Sequence, residues 1–267
     1  MLVINTVVIV FILLLINGEL LARTVFDEMK GTISEVGVDS LYTGSQSVRI
    51  DHGVVTIDFN CAYGGFNYVE FSTVSDSGNR PKLFSRRIDP LVDSHIGCSS
   101  RNVPISYKGT SYVSSEGVRQ NLWDHAPRIM KKLTYSTNFV PMNKTQSTTG
   151  LNRALEKRLE CARDIVGVNV WVGVIWREGK QYDTLKKEYS VKIPAIIWRI
   201  HQYDNGAAFT WAFPNTDVAS IELEQQYRIT LSELKDTIDD TYQLSLPDDM
   251  RDALGQDPYQ QITCSTR

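Results

Sequence analysis

The sequence predicts an α+β fold, a central sheet with a few helices in one domain. Three observations carry that reading. Runs rich in Val, Ile, Phe, Tyr and Trp recur between residues 54 and 213, separated by turn residues. Leu151, Leu155, Leu159 and Ala162 share the spacing of one helix face. Hydrophobic residues make up 42% and charged residues 22% of 267 residues, which excludes wholesale disorder, collagen and coiled coil.

The elements follow in chain order. Val7–Ile16 is an uncharged apolar run closed by Asn17, Gly18 and Glu19. It is shorter than the about 20 residues that span a bilayer. It reads as a secretory signal over residues 1–22, cut after Gly18 or Ala22, with an uncleaved anchor as the alternative. Residues 23–53 form a mixed N-terminal segment. Val54–Val74, interrupted by Cys61–Gly65, suggests a pair of strands; 75–110 is polar and loop-rich. A helix is expected over Leu151–Val166. Strands are expected over 168–176, 189–200 and 206–213, the last two joined by a turn containing Asn205-Gly206. Thr230 and Glu233 fit a capping box that opens a second helix. The ordered body is expected to end near Leu244–Pro247, leaving 251–267 as a tail.

Four cysteines in an oxidising compartment suggest two disulfides, for which three connectivities exist. Cys61–Cys98 with Cys161–Cys264 is the preferred set. Asn143-Lys144-Thr145 is a glycosylation sequon.

Charge is unevenly distributed. The whole chain carries −3, yet Arg119–Arg163 holds nine basic and three acidic residues, for +6. Glu233–Asp257 holds eight acids and two bases, for −6. A basic segment within an acidic chain is a candidate polyanion-binding face, or simply a solvated surface.

That basic segment contains the chemistry-bearing pattern. It reads Arg119-Gln-Asn-Leu-Trp-Asp-His-Ala-Pro127, then Leu133–Gln146, then Leu151-Asn152-Arg153 through Arg163. Asn143 and Asn152 are nine apart, Asn152 and Glu160 eight apart. Downstream stand Ile193-Pro194-Ala195-Ile196-Ile197-Trp198-Arg199-Ile200 and Tyr227–Leu234. The combination resembles the DNA/RNA non-specific endonuclease family, in its secreted eukaryotic branch, over roughly residues 50–250. The resemblance implies a central antiparallel sheet with a ββα-metal hairpin and helix over 54–250. It also implies hydrolysis of phosphodiester bonds in DNA and RNA without sequence preference.

Such a reaction needs a base, a divalent cation and a cation to hold transition-state charge. By resemblance Asn152 is the ligand of Mg²⁺ or another divalent cation such as Mn²⁺, and Glu160 contacts metal-bound water. The two lie about 12 Å apart along a helix. The candidate base is His125 or Asp124. A gapless reading from Pro127 puts the family's Asp-Arg-Gly-His on Asn121-Leu122-Trp123-Asp124, so His125 is one residue out of register. Asp124 is a weak base at neutral pH. Phosphate contacts are expected from Asn143, Arg128, Lys131, Lys132, Lys144, Arg153, Lys157, Arg158 and Arg163. Three readings follow: an active secreted nuclease, a catalytically impaired nuclease-fold binder of nucleic acid, or a scaffold that kept only the fold. No membrane association is expected once the signal is removed, and the oligomeric state stays open.

Overall fold

The computed structural model describes residues 47–75, 83–93, 95, 97–99, 103–238, 242, 244–253, 255 and 257–259. The expected signal segment and Cys264 lie outside them. The fold is α+β, built on an eight-stranded and mainly antiparallel sheet in the order β1-β2-β3-β6-β7-β8-β10, with β9 also paired to β8.

Strand β1 (Ser47–Asp51) forms one edge and alternates exposed and buried residues. Strands β2 (Val55–Asn60) and β3 (Gly65–Ser72) form the expected pair around the Cys61 turn. Cys61 is bridged to Cys98, as expected, across 37 residues with a Cα–Cα distance of 5.0 Å.

A separate two-stranded sheet pairs β4 (Tyr112–Glu116) with β5 (Phe139–Asn143), antiparallel, with Tyr112 opposite Asn143. The connection carries a 3₁₀ turn, Gln120–Trp123, and helix α1 (Pro127–Leu133). Proline is at home in the first turn of α1 because its missing N–H would be unpaired there anyway. After β5 come a short helix α2 (Lys144–Thr148) and the longer α3 (Leu151–Ala162).

Strand β6 (Val168–Ile175) joins the main sheet between β3 and β7 (Ile196–Tyr203). The strand expected at 189–200 begins later: Lys186–Tyr189 is a helical turn, α4, and Pro194 precedes the strand proper. The turn to β8 (Ala207–Pro214) uses Gly206 at φ +80°, a conformation that favours glycine. The short strand β9 (Arg228–Ile229) leads into helix α5 (Leu231–Ile238). Its capping box forms as expected: Glu233 N–H donates to Thr230 Oγ1 at 3.1 Å, and Thr230 N–H donates to Glu233 Oε2 at 2.8 Å.

The body does not end at Pro247. Strand β10 (Arg251–Asp252) adds to β8 in parallel, and Asp257 is buried.

Apolar residues sort the two sheet faces. Leu151, Leu155, Leu159 and Ala162 press α3 on one face against Val170, Val172, Ile197 and Trp211. Leu231, Leu234 and Ile238 press α5 on the other, against Trp171, Trp198 and Ile200. Each leucine or isoleucine among them contributes about 1.5–3 kcal/mol relative to exposure. Gly173 lies opposite Trp198, whose ring fills the space a Cβ would need. Among the described residues no helix is long and apolar enough to cross a membrane.

Candidate nucleic-acid interface and the neighbouring ion network

Helix α1 is amphipathic by construction. Met130 and Leu133 are buried, whereas Arg128, Lys131 and Lys132 are exposed. The three basic residues stand at i, i+3 and i+4 and therefore share one face. Lys131 Nζ lies 5.3 Å from the centre of the Phe84 ring, and Lys132 Nζ donates to the His52 carbonyl at 2.8 Å. Lys131 and Lys132 occupy the last turn, where cations suit the helix dipole. Lys144 and Lys157 are also exposed, on α2 and α3.

The remaining expected phosphate contacts are turned inward or engaged within the protein. Arg158 is buried against Glu224 and Asp257. Arg163 is buried and donates to the Asn121 carbonyl at 2.7 Å. Arg153 is half-buried and paired with Glu160 at 2.8 Å. Asn143 is buried as the N-cap of α2, its Oδ1 accepting from the Thr145 N–H at 2.9 Å. Its own N–H donates to Asn215 Oδ1 at 2.8 Å.

Residues 120–123 form a 3₁₀ turn rather than the strand end of the family pattern. Trp123 and Asp124 are buried. His125 is half-buried, its ring 5.9 Å from that of Trp123. Its Nδ1 is enclosed without a hydrogen-bond partner among the described residues. The burial of Trp123 fixes the turn around it, and the intended strand register has no strand to act on.

Asn152 departs furthest from expectation. It is fully buried, and its Oδ1 accepts from Arg199 Nη1 at 2.8 Å. Its Nδ2 donates to Glu156 Oε1 at 3.1 Å and faces Met142 Sδ at 3.3 Å. Its backbone N–H donates to Gln146 Oε1 at 3.2 Å. Glu156 Oε1 lies 3.5 Å from Arg199 Nη1, while Glu156 Oε2 is paired with Arg119. Glu160 is spent on Arg153. The donor set does not fit a hydrated Mg²⁺ or Mn²⁺, because the oxygen that would bind it faces a guanidinium. Among the described residues no cluster of three or more His, Cys, Asp or Glu side chains could hold a metal ion.

Electrostatics follow from enclosure. Burial pushes the Arg199 guanidinium below its ordinary range, opposed by Glu156. Burial raises the Glu116 carboxyl against its hydrogen bond from Gln120 and the charge of Arg119. Arg119, Arg153 and Arg199 thus stand against the carboxylates of Glu156 and Glu160.

Arg199 and Glu156 are the residues that sequence reading did not assign. A signal existed for Arg199: a lone guanidinium in a strand whose eight residues are all buried must find a carboxylate.

No family model matches this sequence, and no curated protein resembles it in sequence. The fold does have counterparts among solved structures. A chain of the crystal structure of the EndoG/EndoGI complex, solved for the mechanism of EndoG inhibition, superposes with a TM-score of 0.54 at 13% identity. The match covers 74% of this chain and 85% of that one. At that identity the likeness is one of fold.

Proposed function

We propose that this protein is a nuclease-fold binder of nucleic acid that holds phosphates on the exposed face of α1, with hydrolysis weak or absent. The observation that carries the reading is the convergence of Arg128, Lys131 and Lys132 on one face of a single helix. Contacts of this kind release counterions and supply affinity for DNA and RNA without reading bases. Lys144 and Lys157 are further exposed cations, on α2 and α3. Support for weak hydrolysis comes from the Asn152 oxygen, which is committed to Arg199, and from the 3₁₀ turn that carries Asp124. We assign the protein to the extracellular space after removal of residues 1–22, where the Cys61–Cys98 bridge would persist.

The test is a mobility-shift assay on plasmid DNA and double-stranded RNA at low salt, with chelator or with Mg²⁺. The expected result is retardation of both polymers, lost steeply with salt, with no cutting. Rapid chelator-sensitive cutting would restore the active-nuclease reading. No retardation at low ionic strength would leave only the shared fold.

A further inference from the structure

We infer that the Arg199 guanidinium is a built-in substitute for a divalent cation, so that the Asn152–Glu156 centre is complete without metal. The inference goes beyond phosphate binding by α1 and does not depend on it. Four observations on three elements support it. Arg199 rises from the middle of β7 beneath α3 and is only 1% exposed. One of its terminal nitrogens meets both Asn152 Oδ1 and Glu156 Oε1, the two oxygens that a cation entering here would need. The other Glu156 oxygen is held by Arg119. Arg119 Nη2 also donates to the Ser147 carbonyl at 3.0 Å, which ties it to helix α2.

Charge counting agrees. With three guanidiniums against the two carboxylates paired to them, the cluster already carries +1, and an added divalent ion would leave it at +3. A buried excess of that size is costly. Geometry agrees as well. Mg²⁺ keeps several waters at about 2.0–2.1 Å from the metal, whereas Asn152 is wholly enclosed by Met142, Gln146, Glu156 and Arg199. Removal of the guanidinium would reverse both conditions. It would free the two oxygens, open space between α3 and β7, and leave Arg119 and Arg153 balanced by Glu156 and Glu160.

The experiment uses the whole protein. Mn²⁺ is titrated against it by electron paramagnetic resonance, and the melting temperature is read in chelator, Mg²⁺ and Mn²⁺. The expected result for the wild type is an undiminished free-Mn²⁺ signal and a melting temperature that moves by less than about 1 °C. Arg199→Met is expected to take up Mn²⁺ and gain about 3–6 °C when the cation is about tenfold above its Kd. Uptake of one Mn²⁺ by the wild type that Asn152→Leu abolishes overturns the inference. So does a folded Arg199→Met protein, checked by circular dichroism, that ignores Mn²⁺. If Arg199→Met fails to fold, the wild-type titration decides alone. Failure here is separable from failure of the phosphate-binding reading, because none of these measurements involves nucleic acid.

Discussion

Arg158 grips Glu224 with both terminal nitrogens, Nη1 to Oε1 and Nη2 to Oε2, at 2.7 Å each. Nη1 also reaches Asp257 Oδ2 at 3.2 Å, and the Tyr203 hydroxyl donates to Asp257 Oδ1 at 2.9 Å. Helix α3, the 221–227 turn and residue 257 are thereby clipped to the sheet. Truncating one partner of a buried pair strands the other charge, so Arg158→Ala is expected to cost about 3–5 kcal/mol. Urea denaturation measures this, and a midpoint equal to wild type would show that the clip contributes nothing.

The α1 face carries its own signature in salt. Each phosphate contact adds about 0.9 to the slope of log affinity against log salt on duplex DNA. Replacing Arg128, Lys131 and Lys132 together by alanine is therefore expected to flatten the slope by about 2–3. Fluorescence anisotropy on a labelled duplex reads it. A slope unchanged in the triple variant, with native circular dichroism, places the contacts elsewhere.

Gly173 tolerates no side chain. A Cβ there would stand 2.1 Å from Trp198 Cζ2, and Trp198 is itself fully buried under α5. Gly173→Ala is expected to lower stability by about 3 kcal/mol or more, or to prevent folding, through overpacking. The double variant Gly173→Ala with Trp198→Phe should recover part of the loss. The comparison is made by thermal melting, and no recovery would locate the strain outside this pair.

Two buried groups give opposite pH dependences. Burial, reinforced by Arg199, Arg158 and Arg228, holds the His201 imidazole well below its ordinary range. Its contribution to stability is present above about pH 6.5 and is lost as pH falls below it, because only the unfolded chain accepts the proton. Both ring nitrogens lack hydrogen-bond partners among the described residues, and the ring rests 5.1 Å from Trp211. His201→Phe is expected to stabilise the protein, most of all below pH 6.5. Burial raises Asp58 to about 6, against its hydrogen bond from Asn67. That contribution is present below about pH 4 and declines as pH rises through 6, by up to about 3 kcal/mol. Asp58→Asn should abolish this decline. Denaturation across pH 4–8 separates the two, since each variant removes one slope.

Reduction of the Cys61–Cys98 bridge releases a loop spanning 37 residues. On the chain-entropy view its loss costs about 4 kcal/mol. Melting with and without a reductant, compared with the Cys98→Ser variant, checks the value. Equal melting temperatures in both conditions would refute it.

What was legible in the sequence was local. The aliphatic and aromatic runs of β2, β3, β6 and β8, the Leu151–Leu155–Leu159 stripe, the Thr230–Glu233 cap and the Cys61–Cys98 pairing each depend on near neighbours or simple chemistry. What was hidden depends on distant partners. Lys157 and Arg158 are adjacent in sequence, yet one is solvated and the other buried, because Glu224 and Asp257 arrive from 66 and 99 residues away. Arg199 finds Asn152 across 47 residues. The Asn152–Glu160 spacing survives as a helix pattern, but spacing alone does not report which group faces an oxygen. At 120–123 a 3₁₀ turn stands where the motif expects a strand end.

The outer margin of β8 is shared by two short strands, β9 at Thr210–Trp211 and β10 at Ala207–Ala208. Neither is long, and together they leave little of that margin open. A protein shortened after residue 247 would bare the backbone groups now met by Arg251 and Ala253, and the uncovered rim would invite a second molecule to complete it. The acidic C-terminal stretch thus serves as a cover for the sheet's own rim.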